Sequence, residues 1–271
     1  MTRTARRTRR TLQAAGAGAA ALLAVSACSS SDGSSAAKSD SSAADKPSGT
    51  VTVFAAASLK ESFTTLGERF EKAHPGTKVT FSFGGSDSLA ASITGGAPAD
   101  VFASASPKTM KIVTDAGDAA GTPADFVRNQ LEIATLPGNP DKIASLADLT
   151  RSGLKVVLCD KTVPCGAAAQ KALDAGKLTL EPVSYEQDVK AALTKVELKE
   201  ADAAVVYKTD VHAADGKVEG VEFPESAEAV NAYPIVRLKD AGHADAADAF
   251  IALVRSAEGQ KVLAEAGFLK P

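Results

Sequence analysis

Four short stretches of the chain share one form, a turn of small or polar residues that opens directly into a helix: Ala56-Ala57-Ser58-Leu59, Gly84-Gly85-Ser86-Asp87, Val163-Pro164-Cys165-Gly166 and Glu186-Gln187-Asp188-Val189. The first N–H groups of a helix have no acceptor inside it, and its aligned peptide dipoles leave partial positive charge there, so a helix start attracts anions. Four converging starts would cage an oxyanion. Ser58 and Ser86 each read as an N-cap, and their placement after strands gives them a second use, because ligands of open α/β sheets sit beyond the carboxyl ends of strands. Tyr207 ends a valine-rich strand, where a core tyrosine with a satisfied hydroxyl is the ordinary case. Val189 by itself reads as an apolar face residue.

Other chemistries find less support. Ser58 follows a strand as a nucleophile would, but it lacks the glycines of G-x-S-x-G, and Lys60 stands two residues on where S-x-x-K needs three. An exported serine hydrolase therefore lacks its base. Asp100 follows Pro98-Ala99 and reads as a turn or capping residue, since a carboxylate would repel a bound dianion. His74, His212 and His243 lie in polar, loop-like settings without paired metal spacing and read as surface residues.

The elements that must position these residues alternate. Strands are expected at Val51–Phe54, Lys78–Phe83, Asp100–Ala103, Leu131–Thr135, Leu154–Leu158, Ala203–Tyr207 and Ala232–Leu238. Helices are expected at Ser58–Ala73, Ser86–Thr94, Lys108–Asp115, Gly166–Ala175, Asp188–Thr194, Ala244–Ala257 and Gly259–Ala266. This alternation predicts an α/β fold with mainly parallel pairing, and Pro234 is best tolerated at a bend or an edge. One sheet and two lobes both fit the pattern.

Residues 1–27 carry five arginines and no acid, followed by an apolar run too short for the roughly 20 residues of a membrane span, and read as an export signal. The run ends in Val25-Ser26-Ala27-Cys28, which resembles the bacterial lipobox, so that Cys28 becomes the first mature residue and carries lipid. Thr8-Arg9-Arg10-Thr11-Leu12 is similar to a twin-arginine signal, and an ordinary secretory signal is as rich in arginine. Residues 28–49 hold no large apolar side chain and read as a disordered tether. Without the five signal arginines, 25 Lys+Arg face 33 Asp+Glu, a net charge of −8 that argues against a nucleic-acid partner. With Cys28 taken by lipid, Cys159 and Cys165 remain in a compartment where disulfides persist. Two thiols with no histidine nearby give too few ligands for zinc, and a disulfide is the favoured reading.

Five segments in order carry a family resemblance: Val53-Phe54-Ala55-Ala56-Ala57-Ser58-Leu59, Ser82-Phe83-Gly84-Gly85-Ser86, Gly96-Ala97-Pro98-Ala99-Asp100-Val101-Phe102, Val163-Pro164-Cys165-Gly166 and Val205-Val206-Tyr207. Together they resemble the molybdate-binding proteins of ABC importers over nearly all of residues 50–271. The resemblance implies a type II periplasmic-binding-protein fold, two α/β lobes joined by crossover strands around a ligand cleft. Lobe one would comprise residues 50–131 and 232–271, and lobe two residues 132–231. It implies a non-enzymatic, monomeric, lipid-anchored extracytoplasmic receptor without a cofactor, its cargo molybdate, and tungstate too, handed to a membrane permease. Ligand donors would be Ser58 and Ser86 through hydroxyl and N–H, Cys165 and Val189 through N–H, and Tyr207 through its hydroxyl. Cys165 departs from the alanine expected there, which a backbone donor tolerates. Sulfate or iron receptors on the same fold are the alternatives; iron would want several tyrosines or carboxylates, and the chain has three tyrosines.

Overall fold

The computed structural model describes residues 47–271; the export signal, Cys28 and the tether up to residue 46 fall outside the described residues. In β1 (Gly49–Ala56), Val51, Val53 and Ala55 are buried while the residues between them are less so, the period-2 pattern of a sheet strand. After a 3-10 turn at Ala57–Leu59 comes α1 (Lys60–Ala73), which turns Phe63, Leu66, Gly67 and Phe70 inward at helical spacing. Then follow β2 (Thr77–Gly84), α2 (Ser86–Thr94), β3 (Val101–Ala103), α3 (Pro107–Asp115) and β4 (Ala124–Asn129). The chain next builds β5 (Leu131–Thr135), β6 (Val156–Cys159), α4 (Pro164–Ala175), β7 (Ser184–Glu186), α5 (Val189–Glu197), β8 (Ala203–Tyr207), α6 (Lys208–Ala213) and β9 (Glu219–Val221). It returns through β10 (Asn231–Arg237) and ends in α7 (Ala244–Arg255) and α8 (Ala257–Glu265).

These strands form two five-stranded sheets, in the orders β2-β1-β3-β10-β4 and β7-β6-β8-β5-β9. Each sheet with its helices is one lobe, and each has its own core. In the first, Phe63 packs against Phe126 and Phe250 with ring centroids 5.8 and 5.9 Å away, beneath α1, α7 and α8. A smaller apolar layer under α2 and α3 includes Phe102 and Val236. In the second, Ile133, Val205 and Val206 pack against Ala172 and Val196 of the flanking helices.

Pairing departs from the mainly parallel expectation: among the described residues four named strand pairs are parallel and four antiparallel. The cause is the crossover. β5 and β10 carry the chain between lobes and enter each sheet against the direction of its parallel strands. Asn231 is the register partner of Asn129, so the two crossing segments run side by side. Pro234 sits in this interior strand rather than at an edge, tolerated because the register shifts between Tyr233 and Pro234, the bend that a missing N–H requires.

The remaining differences are local. β4, β7, β9 and α6 are absent from the expected elements: β7 and β9 have three residues each and α6 six, lengths at which periodicity carries little signal. The tether is expected to run through residue 49, but Gly49 already opens β1 and donates its N–H to the Gly76 carbonyl. Cys159 and Cys165 form a disulfide with a Cα separation of 5.8 Å, tying the end of β6 to the start of α4.

Candidate functional site

The strands β1, β2 and β3 all end toward the cleft, as do β6, β7 and β8, because each set is parallel within its sheet. Whatever follows each strand therefore faces the opposing lobe. One small cavity between the lobes is lined by Ala56, Ala57, Ser58, Gly84, Gly85, Ser86, Ala105, Val163, Pro164, Cys165, Asp188, Val189 and Tyr207. Ser58, Ser86, Cys165, Val189 and Tyr207, singled out from the sequence, all lie on its wall. The lining contains no lysine or arginine.

Neither serine is an N-cap. Ser58 lies within the 3-10 turn ahead of α1, and Ser86 is the first residue of α2, whose N-cap is Gly85. Both hydroxyls instead reach other strands. Ser86 Oγ accepts the Ala105 N–H at 3.0 Å, and Ser58 Oγ stands 2.9 Å from the Tyr233 hydroxyl. Tyr233 Oη accepts from Asn129 Nδ2 at 3.3 Å, and that amide is fixed because its Oδ1 accepts the Gln130 N–H. Either hydroxyl can donate across the Ser58–Tyr233 contact. Tyr207 Oη accepts from Asn231 Nδ2 at 2.7 Å, an amide that also donates to the Pro164 carbonyl. Ser86 and Tyr207 thus accept from fixed protein donors, and their own protons remain to be donated. Burial, reinforced by the neighbouring Tyr233, pushes the Tyr207 hydroxyl well above its ordinary pKa and keeps it a donor.

The backbone donors come from helix starts. α4 begins with Pro164 at its first position, where a missing N–H costs nothing, and the Cys165 N–H follows. Asp188 caps α5 by accepting the Ala191 N–H at 2.9 Å, leaving Val189 as the first helical residue. First-turn N–H groups such as those of Ser86, Cys165 and Val189 have no acceptor within their own helices. The disulfide holds the Cys165 turn closed. A Cβ at Gly166 would lie 1.9 Å from the Asp160 carbonyl oxygen, so only glycine lets α4 start this close to the strand end.

Sequence reasoning did not single out the residues that orient these donors, Asn129, Ala105, Asn231 and Tyr233. The available signal was Asn231, a polar residue directly ahead of the apolar run at residues 232–236. Asp100 is buried and takes up the N–H groups of Thr52 and Gly242, both at 2.7 Å, as a turn brace away from the cavity. His212 and His243 are exposed and His74 half-buried against Phe70; no group of metal-ligating side chains occurs among the described residues.

Two α/β lobes joined by crossover strands, with donors from both meeting in the cleft, define a type II periplasmic-binding-protein fold. The chain belongs to the bacterial extracellular solute-binding proteins, whose family model matches residues 51–269. It is 47% identical over 221 residues to the molybdate-binding protein ModA of Mycobacterium tuberculosis strain H37Rv, covering 82% of this chain and 85% of the relative. It is 32% identical to ModA of Escherichia coli K12, covering 81% of this chain and 89% of that one. Among solved structures, the periplasmic molybdate-binding protein of Azotobacter vinelandii superposes with a TM-score of 0.72 at 22% identity, covering 82% of this chain and 99% of that one. The sulfate-binding protein SubI of Mycobacterium tuberculosis superposes with a TM-score of 0.71 at 19% identity, covering 81% and 86%. At such identities these neighbours speak for the fold alone.

Proposed function

We propose that this protein is the molybdate receptor of an ABC importer, a binding protein and not an enzyme, with tungstate as a second ligand. The observation that carries the reading is the convergence of three hydroxyls, those of Ser86 and Tyr207 loaded by protein donors, with unpartnered helix-start N–H groups in one interlobe cavity. Such a set offers protons only and suits an unprotonated tetrahedral dianion. The relatives' name supports molybdate as that dianion.

In this reading residues 50–131 and 232–271 form lobe one and residues 132–231 lobe two. Ser58 and Ser86 bind from lobe one, Cys165, Val189 and Tyr207 from lobe two. The ion bridges the lobes and favours the closed form, because only that form satisfies all its oxygens. Closure is what the permease recognises. The ion is cargo, so no cofactor takes part. Cys28, lipidated after removal of residues 1–27, tethers a monomer to the outer membrane face, and no helix among the described residues is long and apolar enough to cross a membrane. Fractionation of cells making the Cys28→Ala variant checks the tether: if the wild type is as soluble as the variant, there is no anchor.

Competition calorimetry at neutral pH tests the ligand. Phosphate keeps a proton that needs an acceptor, and the hydroxyls and N–H groups of the five ligand residues supply none, while Asp188 is oriented by its cap to the Ala191 N–H. That mismatch costs phosphate about 1 to 3 kcal/mol. Sulfate has no such proton but is smaller, so a cage closed around the larger ion stretches several of its bonds. The expected order is molybdate close to tungstate, both above sulfate, with phosphate weakest. Sulfate binding as tightly as molybdate would make this a sulfate receptor.

A further inference from the structure

Apart from the cavity wall and the crossover strands, where Asn129 donates to Thr209, two side-chain contacts join the lobes at the cavity rim. On one side Thr162 Oγ1, in the loop before α4, approaches Asp87 Oδ2 on α2 to 3.4 Å while its proton goes to Asp160 Oδ1 of its own lobe at 2.8 Å. On the other, Lys190, the neighbour of Val189 on α5, sets its Nζ 3.0 Å from Glu61 Oε2 on α1 and 3.2 Å from Asp210 Oδ1 on α6. The two carboxylates are placed differently. Asp210 is in the lobe of Lys190 and its side chain is 0% exposed; Glu61 is in the other lobe and its side chain is 48% exposed. Asp210 also accepts the Tyr207 backbone N–H at 3.2 Å.

We propose that Lys190 is a closure latch and a positioning residue for the ligand: it stays seated on Asp210 whether the lobes are apart or together, and takes up Glu61 only when they meet. The proposal rests on the receptor reading above. Lys190 cannot leave Asp210, because a buried carboxylate stripped of its cation is strongly destabilising. Glu61 can leave, because a half-exposed carboxylate on a separate rigid body returns to water at little cost. The Glu61 contact therefore differs between the two forms, as any group that biases a conformational equilibrium must. Closing the latch fixes the start of α5 and the Asp210-bound Tyr207 turn against α1, three residues beyond Ser58. Donors from both lobes are thereby held in register.

The test is the Glu61→Gln variant, which leaves the buried pair intact. Its ligand-free small-angle scattering is compared with that of the wild type, and its molybdate affinity is measured at low and at high salt. The expected result is a shift toward the extended form and a two- to fivefold weaker affinity at low salt, roughly what a partly exposed ion pair contributes. The difference should fade near 1 M salt, where screening removes such pairs. Lys190→Arg, which keeps the charge, should stay near wild type, and Glu61→Gln should add nothing in a Lys190→Gln background. Unchanged scattering together with unchanged low-salt affinity in Glu61→Gln overturns the latch. If the wild type binds no molybdate but the scattering of the two proteins differs, the latch stands and the ligand assignment falls.

Discussion

Ser86 and Tyr207 use one device: a hydroxyl oxygen loaded from the protein side has only its proton left for the cavity. Such a hydroxyl does not have to reorient when a dianion arrives, and a hydrogen bond to a charged acceptor is roughly twice as strong as a neutral one. Removing one of them while the backbone donors remain should cost about 1.5 to 3 kcal/mol of molybdate affinity. Ser58→Ala, Ser86→Ala and Tyr207→Phe should each show that loss in calorimetry while staying folded. Full affinity in all three would reduce these hydroxyls to structural links. Each serine variant also removes the partner of a buried group, the Tyr233 hydroxyl for Ser58→Ala and the Ala105 N–H for Ser86→Ala, so both should unfold somewhat more easily than the wild type.

At the scale of elements, the site depends on how closely a turn of one lobe approaches a turn of the other. A Cβ at Gly85 would lie 2.5 Å from the Gln187 carbonyl oxygen, which belongs to the opposite lobe just before α5. The backbone of Gly85, at φ −61° and ψ 131°, suits any residue, so glycine is needed here for space and not for conformation. Gly85→Ala should therefore leave the ligand-free protein as stable as before, or slightly more so because the unfolded chain loses freedom. The same methyl should keep the lobes apart and lower molybdate affinity at least about tenfold, the equivalent of 1.4 kcal/mol. Thermal unfolding and calorimetry on one preparation separate the two effects, and wild-type affinity in the variant would show that closure does not need this contact. The disulfide acts at the same scale. It closes a short ring, so its chain-entropy contribution is modest, about 2 kcal/mol, and its larger effect is to hold the Cys165 N–H where α4 begins.

For the molecule as a whole, Asp210 links the cleft to stability. Burial raises its carboxyl to about 6 despite the opposing pull of Lys190. An unfolded aspartate titrates near 3.9, so between about pH 4 and 6 the folded state binds more protons than the unfolded one. The stabilisation from this group is complete below about pH 4 and is lost as pH rises through about 6; two pH units correspond to roughly 3 kcal/mol. Urea unfolding of wild type and Asp210→Asn between pH 4 and 7 should show the wild type losing ground to the variant as pH rises, by up to that amount. A difference that stays flat with pH would show that Asp210 titrates normally. Lys190 moves upward in pKa: burial works against its ammonium, but Asp210 and Glu61 outweigh burial. It therefore stays charged throughout this range.

The sequence alone determined the parts whose cause is local. Helix starts after strands, alternating apolar residues in β1, and Pro164 and Asp188 at helix openings act through their own neighbours, so the α/β class and the helix-start serines Ser58 and Ser86 were legible, while Tyr207 and, beyond their helix-start positions, Cys165 and Val189 came with the family resemblance, the last two having side chains that carry no signal. What only the tertiary structure decided depends on residues far apart in the chain. Ser58 and Ser86 have the residue type of caps, yet their hydroxyls bond Tyr233 and Ala105, partners that β10 and β3 bring alongside. The antiparallel half of the pairing was hidden because a crossover strand has the same composition as any other buried strand. The contact of Lys190 with Glu61 spans two separately folded lobes, and no pattern within either segment encodes it, because their meeting is a property of closure.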